Sequence, residues 1–156
     1  ERALALFGYQ QTEEGFWVRP ANLSGDLDSH RSDLTDIGAD EDIILMRACE
    51  IAMAGPQNWA SLWSPKALSR SYAQAIKTME RSLEGLATRS MDDAARETLL
   101  IGQPVIRAIN FDPLLPPELG DQDGFLRMAE KMRAYNKVGQ ACWRAYHASL
   151  EETAQD

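Results

Sequence analysis

The stretch Asp112-Pro113-Leu114-Leu115-Pro116-Pro117-Glu118-Leu119 separates two long segments that both have helical periodicity. Its three prolines fix φ and remove backbone N–H donors, so the segment must be extended and irregular. It also carries three leucines, which a purely solvated linker would not need. The composition predicts a rigid apolar loop between helices, held in place by leucine burial and by side-chain anchors.

The segments on both sides of this loop predict an all-α helical domain over residues 56–156. Ser64 is a suitable N-cap for the first helix, because Pro65 follows it at the first helical position. Ser90 is a suitable cap for the second helix, and a third helix begins near Gly124. Apolar residues recur at helical spacing through all three segments.

The first 55 residues have mixed periodicity. Alternating aromatic and β-branched residues favour strands, and a three- to four-residue spacing favours helices. The predicted order is helix, strand, strand, helix, strand, over residues 2–7, 9–12, 16–19, 27–37 and 42–49. One further strand before Glu1 would complete a βαββαβ unit. We therefore predict an α+β fold, in which residues 1–55 form a ferredoxin-like domain that lacks its first strand and precedes the helical domain.

The charge balance argues against nucleic-acid binding by this chain alone. It carries 24 acidic and 16 basic residues, a net charge of −8, and its basic positions are interleaved with acidic or apolar ones. A surface that binds a polyanion needs an uninterrupted basic face. No apolar run is long enough to cross a bilayer and no signal-peptide pattern opens the chain, so we expect a cytoplasmic protein without membrane contact.

No catalytic or metal-binding constellation is present in the sequence. His30 has Asp26 and Asp33 on the same predicted helix face, but an exposed histidine on an acidic helix is a better interpretation than a metal ligand. Glycine-rich phosphate loops and nucleophile motifs are absent. The sequence therefore predicts a protein that is not an enzyme and has no resident cofactor.

Two sets of residues are candidates for structural anchoring or ligand binding. Trp59, Trp63 and Trp143 favour core packing, and the alternative is an aromatic pocket for a planar or acyl ligand between the two domains. Arg107 is the single cation in an apolar stretch, and a buried arginine needs an anionic partner. Asp112 could pair with it and fix the loop against the helical domain, or Arg107 could hold a ligand carboxylate or phosphate.

Three motifs in order resemble the PaaX-like (phenylacetic acid degradation repressor) family of transcriptional regulators. They are Gly15-Phe16-Trp17-Val18-Arg19-Pro20, then Leu62-Trp63 ahead of Tyr72, then Arg107 followed by Asp112-Pro113-Leu114-Leu115-Pro116. The resemblance implies a winged-helix DNA-binding domain upstream of Glu1, a Cas2-like ferredoxin central domain and a helical C-terminal domain. It also implies a dimeric repressor of an aromatic or acyl-CoA catabolic pathway, released from DNA by a CoA thioester.

Two segments depart from that family's pattern. Gly120 to Gly124 keeps only the final glycine of a Trp-Pro-Gly segment, and Gln103 to Ile106 lacks the family's His, Glu and additional Arg. The effector and the response to it therefore stay open. The alternatives are an enzyme or nuclease on a ferredoxin-like scaffold and a plain protein-interaction module. We expect a homodimer, because the last helix has an excess of large apolar residues: Phe125, Met128, Met132 and Tyr135.

Overall fold

A computed structural model describes residues 1–23, 25–50 and 59–153. Within these residues the chain is mainly helical and has one short β-hairpin. The elements are α1 (Arg2–Leu6), β1 (Gln10–Gln11), β2 (Trp17–Val18), α2 (Leu27–Asp36), a 3₁₀ helix (Trp59–Trp63), α3 (Pro65–Leu86), α4 (Met91–Asn110) and α5 (Gln122–Thr153). The strands are antiparallel, with Gln10 opposite Val18 and Gln11 opposite Trp17.

The predicted ferredoxin-like unit is wrong. Its hairpin and both of its helices are present, but the segment predicted as a buried strand, residues 42–49, pairs with no strand in the described part of the chain. Ile44 and Met46 in that segment are 83% and 74% exposed, whereas Ile43 and Leu45 are partly buried. Only alternate side chains of this apolar run are therefore turned towards the protein. The two-residue strands of the hairpin are too short to extend a sheet to it.

The predicted helices after residue 64 are confirmed, with the expected residues at their starts. Pro65 opens α3, and the backbone N–H of Asp93 donates to Ser90 Oγ at 3.1 Å at the start of α4. Asp92 and Asp93 in the first turn of α4 complement the helix dipole. Pro104 lies inside α4, which continues through it to Asn110.

The chain divides into two compact units, and each is formed by two chain segments. Unit 1 comprises Glu1–Leu68 and Phe111–Gln122, and unit 2 comprises Ser69–Asn110 and Asp123–Asp156. The domain boundary predicted at residues 55 and 56 lies outside the described residues and stays a prediction.

The core of unit 2 is formed by residues of α3, α4 and α5. Tyr135 is 1% exposed, and its hydroxyl lies 2.8 Å from the hydroxyl of Ser82, so α3 and α5 share a buried hydrogen bond. Met128 and Met132 are also buried in this core. Three of the four residues that motivated the homodimer prediction are therefore used inside the unit, and the surface of α5 does not expose them to a second copy.

The proline-rich loop is held within unit 1 by close contacts, as its composition predicts. A Cβ placed on Gly8 would lie 2.8 Å from Pro113 Cα, so the two backbones touch. The side-chain amide of Asn22 donates to the Leu114 carbonyl at 2.6 Å. Asp112 Oδ1 accepts from the Leu114 N–H at 2.8 Å and stabilises Leu114 at φ +49°. Leu115 is buried.

Candidate functional site

Unit 1 contains a groove of about 910 Å³, a volume in the range of small-molecule sites. Its walls come from the hairpin, from α2, from the extended segment after α2 and from the 3₁₀ helix. Most of the side chains that line it are aromatic or aliphatic, including Tyr9, Phe16, Trp17, Leu23, Leu27, Ile43, Leu45, Trp59, Trp63 and Leu119. Such a surface can bury a flat or branched apolar group.

Two cations line the groove, and they differ in environment. Arg47 is exposed, and its Nη2 donates to the Gly25 carbonyl at 3.1 Å. Arg19 is partly buried, and its Nη2 is closed off from water without a hydrogen-bond partner among the described residues. An unsatisfied buried donor costs about 1–3 kcal/mol, so Arg19 is an unusual feature.

The hairpin register explains the position of Arg19. Because Gln10 is opposite Val18, the next positions outward place Tyr9 opposite Arg19. The Arg19 guanidinium carbon lies 5.7 Å from the centroid of the Tyr9 ring, which is a cation–π geometry. Arg19 Nε also donates to the Pro20 carbonyl at 3.3 Å. These contacts fix the guanidinium, and burial lowers the pKa of Arg19 from its ordinary value.

His30 is the second partner of Tyr9. The Tyr9 hydroxyl lies 3.0 Å from His30 Nε2, and the ring of Phe7 packs edge-on against the imidazole at 5.1 Å. Burial, followed by the charge of Arg19, lowers the pKa of His30, and burial raises the pKa of Tyr9. Both groups are therefore neutral at pH 7, and the Tyr9 hydroxyl and His30 Nε2 share a hydrogen bond in which the imidazole tautomer decides the donor. The expectation of an exposed histidine is wrong, because His30 packs against two aromatic rings.

The groove also contains two carboxylates, Asp26 and Asp33. Asp26 is the N-cap of α2 and accepts from both the backbone N–H and the hydroxyl of Ser29, each at 2.8 Å. These hydrogen bonds lower the pKa of Asp26. Neither carboxylate forms an ion pair with Arg19 in the described residues.

The structure brings two of the three predicted tryptophans together. Trp59 and Trp63 line the groove of unit 1 with Trp17, and Trp63 Nε1 donates to the Gly8 carbonyl at 2.8 Å. Trp143 lies on α5 in unit 2, where it lines a separate cleft of about 550 Å³. Its ring packs edge-on against Tyr146 at 6.0 Å.

Arg107 and Asp112 lie five positions apart in the chain, at the end of α4 and at the start of the proline-rich loop. Arg107 is exposed in the last turn of α4, and Asp112 is buried in the loop, where it accepts the hydrogen bond from Leu114. The proposed pairing of the two, and the alternative role of Arg107 in holding a ligand anion, stay predictions.

Arg19, Tyr9 and His30 were missed as candidate site residues by the sequence analysis. The signal for the first two was available, since the predicted strands 9–12 and 16–19 already place Tyr9 opposite Arg19. The contact of His30 with Tyr9 joins α2 to the hairpin over 21 positions, and no local pattern encodes it.

The described residues contain neither a cluster of metal-ligating side chains nor a helix suited to cross a membrane. No group of three or more His, Cys, Asp or Glu side chains there could hold a metal ion. Over the same residues, no helix combines the length and the apolar composition that a bilayer crossing requires.

Comparison of the chain with protein-family models, with curated proteins and with solved structures yields no match.

Proposed function

We propose that this chain is the effector-sensing portion of a PaaX-like transcriptional repressor and that its effector binds in the groove of unit 1. The observation that carries the proposal is the groove itself, whose volume of about 910 Å³ and aromatic lining suit an apolar small molecule. The three sequence motifs support the same assignment, since each contributes residues to unit 1: the hairpin, Leu62-Trp63 and the proline-rich loop.

The remaining parts of the proposal rest on the resemblance. DNA is bound by a winged-helix domain upstream of this chain, the repressor acts as a cytoplasmic homodimer, and an acyl-CoA thioester from an aromatic pathway releases it from DNA. The chain itself has a sensing role and no catalytic one. Ferredoxin-like architecture has no part in this proposal, because residues 42–49 do not form the strand that it needs.

Calorimetric titration of the chain with phenylacetyl-CoA tests the proposal, with free coenzyme A as the comparison. We expect saturable binding of the thioester and at least tenfold weaker binding of coenzyme A, because only the acyl group can use the apolar groove. Sedimentation of the same samples reports whether the chain is a dimer.

A pair of variants locates the binding. Phe16 lines the groove and is 68% exposed, so Phe16→Ala removes groove surface with little effect on folding. Leu126 is similarly exposed on α5 and lines neither cavity, which makes Leu126→Ala the matched control. We expect weaker thioester binding in the first variant only. Equal affinities for the wild type and Phe16→Ala, or no binding by the wild type, would contradict the proposal.

A further inference from the structure

Arg19 is a cation whose N–H donors are not all hydrogen-bonded by the protein, and it lines a groove whose walls are largely apolar. Its Nη2 has no hydrogen-bond partner in the described residues and no contact with water. Its Nε donates to the Pro20 carbonyl, and the guanidinium carbon lies 5.7 Å from the centroid of the Tyr9 ring. A guanidinium normally directs five N–H donors to acceptors in a fixed fork, so this one has unused bonding capacity.

We infer that Arg19 anchors the anionic oxygen group, a carboxylate or a phosphate, of an aromatic ligand whose ring occupies the apolar part of the groove. This inference rests on the proposed function and adds the charge of the ligand to it. A guanidinium donates charge-assisted hydrogen bonds to either anion, and such bonds strengthen where water is excluded. Arg19 lines the groove, so an incoming anion would accept hydrogen bonds from the guanidinium N–H groups that face the groove, whereas Nη2 is closed off from the groove as it is from water.

The surroundings of Arg19 favour this role. Tyr9 holds the guanidinium from the opposite strand, and His30 holds Tyr9 in turn, so the cation is preorganised. The two carboxylates in the groove would repel an anion. The charge of Asp26, however, is stabilised by the hydrogen bonds that it accepts from Ser29. Asp33 is exposed to solvent, which screens its charge. Arg47 adds positive charge at another place on the wall.

The groove offers aromatic surfaces against which the ring of the ligand can pack. Trp17, Trp59 and Trp63 all line the groove, and the exposed ring of Phe16 lies at its edge. Flat apolar groups gain most from such walls, because stacked and edge-on contacts add to the burial of apolar area. A compact inorganic anion would leave these walls unused, so we expect it to bind weakly.

The experiment compares three probes that differ in their charge: 4-phenylbutyrate, its neutral amide 4-phenylbutyramide, and phenyl phosphate. Binding is followed by tryptophan fluorescence in a Trp143→Phe background, where the three remaining tryptophans all line the groove. Arg19→Met keeps an unbranched apolar stem and removes the charged guanidinium, and Arg19→Lys restores a charge. Arg47→Met is the matched control, since it removes the other groove cation. Thermal melting confirms that each variant folds.

We expect the background protein to bind at least one anionic probe about 10- to 100-fold more tightly than the amide. Arg19→Met should abolish that preference by weakening the anion alone, Arg19→Lys should restore part of it, and Arg47→Met should keep most of it. The butyrate and phosphate titrations then distinguish a carboxylate from a phosphate as the group recognised.

Other outcomes overturn the inference in distinguishable ways. If acid and amide bind equally, or if Arg19→Met keeps the preference, the groove binds ligands but Arg19 is not the anchor. If no probe binds while phenylacetyl-CoA does, the proposed function stands and the anchor is wrong. If the thioester also fails to bind, both proposals are wrong.

Discussion

Gly8 is the residue at which three segments of unit 1 meet. It ends α1 with φ +77°, its carbonyl accepts the indole N–H of Trp63, and its Cα faces the backbone of Pro113. Both the positive φ and the close approach exclude a side chain here, because a Cβ would lie 2.8 Å from Pro113 Cα. The close approach of the proline-rich loop to the end of α1 therefore requires a glycine at position 8.

Replacing Gly8 with Ala tests that dependence. We expect a loss of about 2–4 kcal/mol in the free energy of unfolding, from left-handed backbone strain plus overpacking against Pro113. Gly15→Ala is the matched control, because Gly15 has φ +90° but nothing within 4 Å of its Cβ position. It should lose only the strain, about 1–2 kcal/mol. Urea denaturation measures both, and equal losses would show that the contact with Pro113 is unimportant.

His30 should make unit 1 sensitive to mild acid. Burial and the charge of Arg19 lower the pKa of His30, so the folded state holds a proton less readily than the unfolded chain does. As the pH falls below the ordinary histidine pKa of about 6.5, the unfolded chain gains protons first and the free energy of unfolding decreases. The contribution of the neutral His30 to the free energy of unfolding is fully present above that pH.

Urea denaturation at pH 7.5 and at pH 5.5 measures this effect, with His30→Gln as the control because other groups titrate in the same window. We expect the wild type to lose more stability than the variant between the two pH values. Tyr9→Phe removes the hydroxyl that lies 3.0 Å from Nε2, so its loss between the two pH values measures the share of the effect that depends on this contact. An identical loss in the wild type and His30→Gln would refute the assignment.

At the scale of elements, the sequence correctly predicted the helices and strands whose sequence signals depend on near neighbours. Pro65 and Ser90 mark helix starts, and alternation around Trp17 marks the hairpin; these features depend on near neighbours and were confirmed. Residues 42–49 were misassigned because a strand also requires a partner at hydrogen-bonding distance. An apolar, β-branched run carries no information on whether that partner exists.

The candidate site shows the same division. Trp59 and Trp63 were singled out because tryptophans favour core packing or an aromatic pocket, a signal that the residue type carries, and both line the groove. Arg19 was not singled out, since its importance comes from a missing hydrogen-bond partner. The absence of a partner is a property of the assembled unit, and the residue type alone gives no indication of it.

The hydrogen bond between Ser82 and Tyr135 is a buried polar link between α3 and α5, and a double-mutant cycle can measure it. Tyr135→Phe leaves the buried Ser82 hydroxyl without its partner and should cost about 1–3 kcal/mol. Ser82→Ala should cost a similar amount. In the double variant both hydroxyls are gone, so we expect a loss smaller than the sum of the single losses. Strict additivity in thermal and urea unfolding would mean that the two hydroxyls do not interact.

At the scale of the whole molecule, the net charge of −8 predicts that this chain does not bind DNA by itself. Phosphate attraction needs clustered cations, and its strength falls steeply with salt. Fluorescence anisotropy with a labelled 30-base-pair duplex at low salt should give no saturable binding up to high micromolar protein. Sequence-selective, salt-sensitive binding would show that the DNA-reading surface lies within these residues.

The two-segment construction of both units has a consequence for how the chain is made. Trp63 leaves the ribosome 50 residues before Pro113, and Gly8 leaves still earlier. At about 5–20 residues per second, the delay after Trp63 alone is roughly 3–10 s. During that interval the first unit is incomplete and its binding surface for the loop stays open to chaperones or to premature contacts. For the same reason, no single cut in the gene yields two halves that each contain a whole unit.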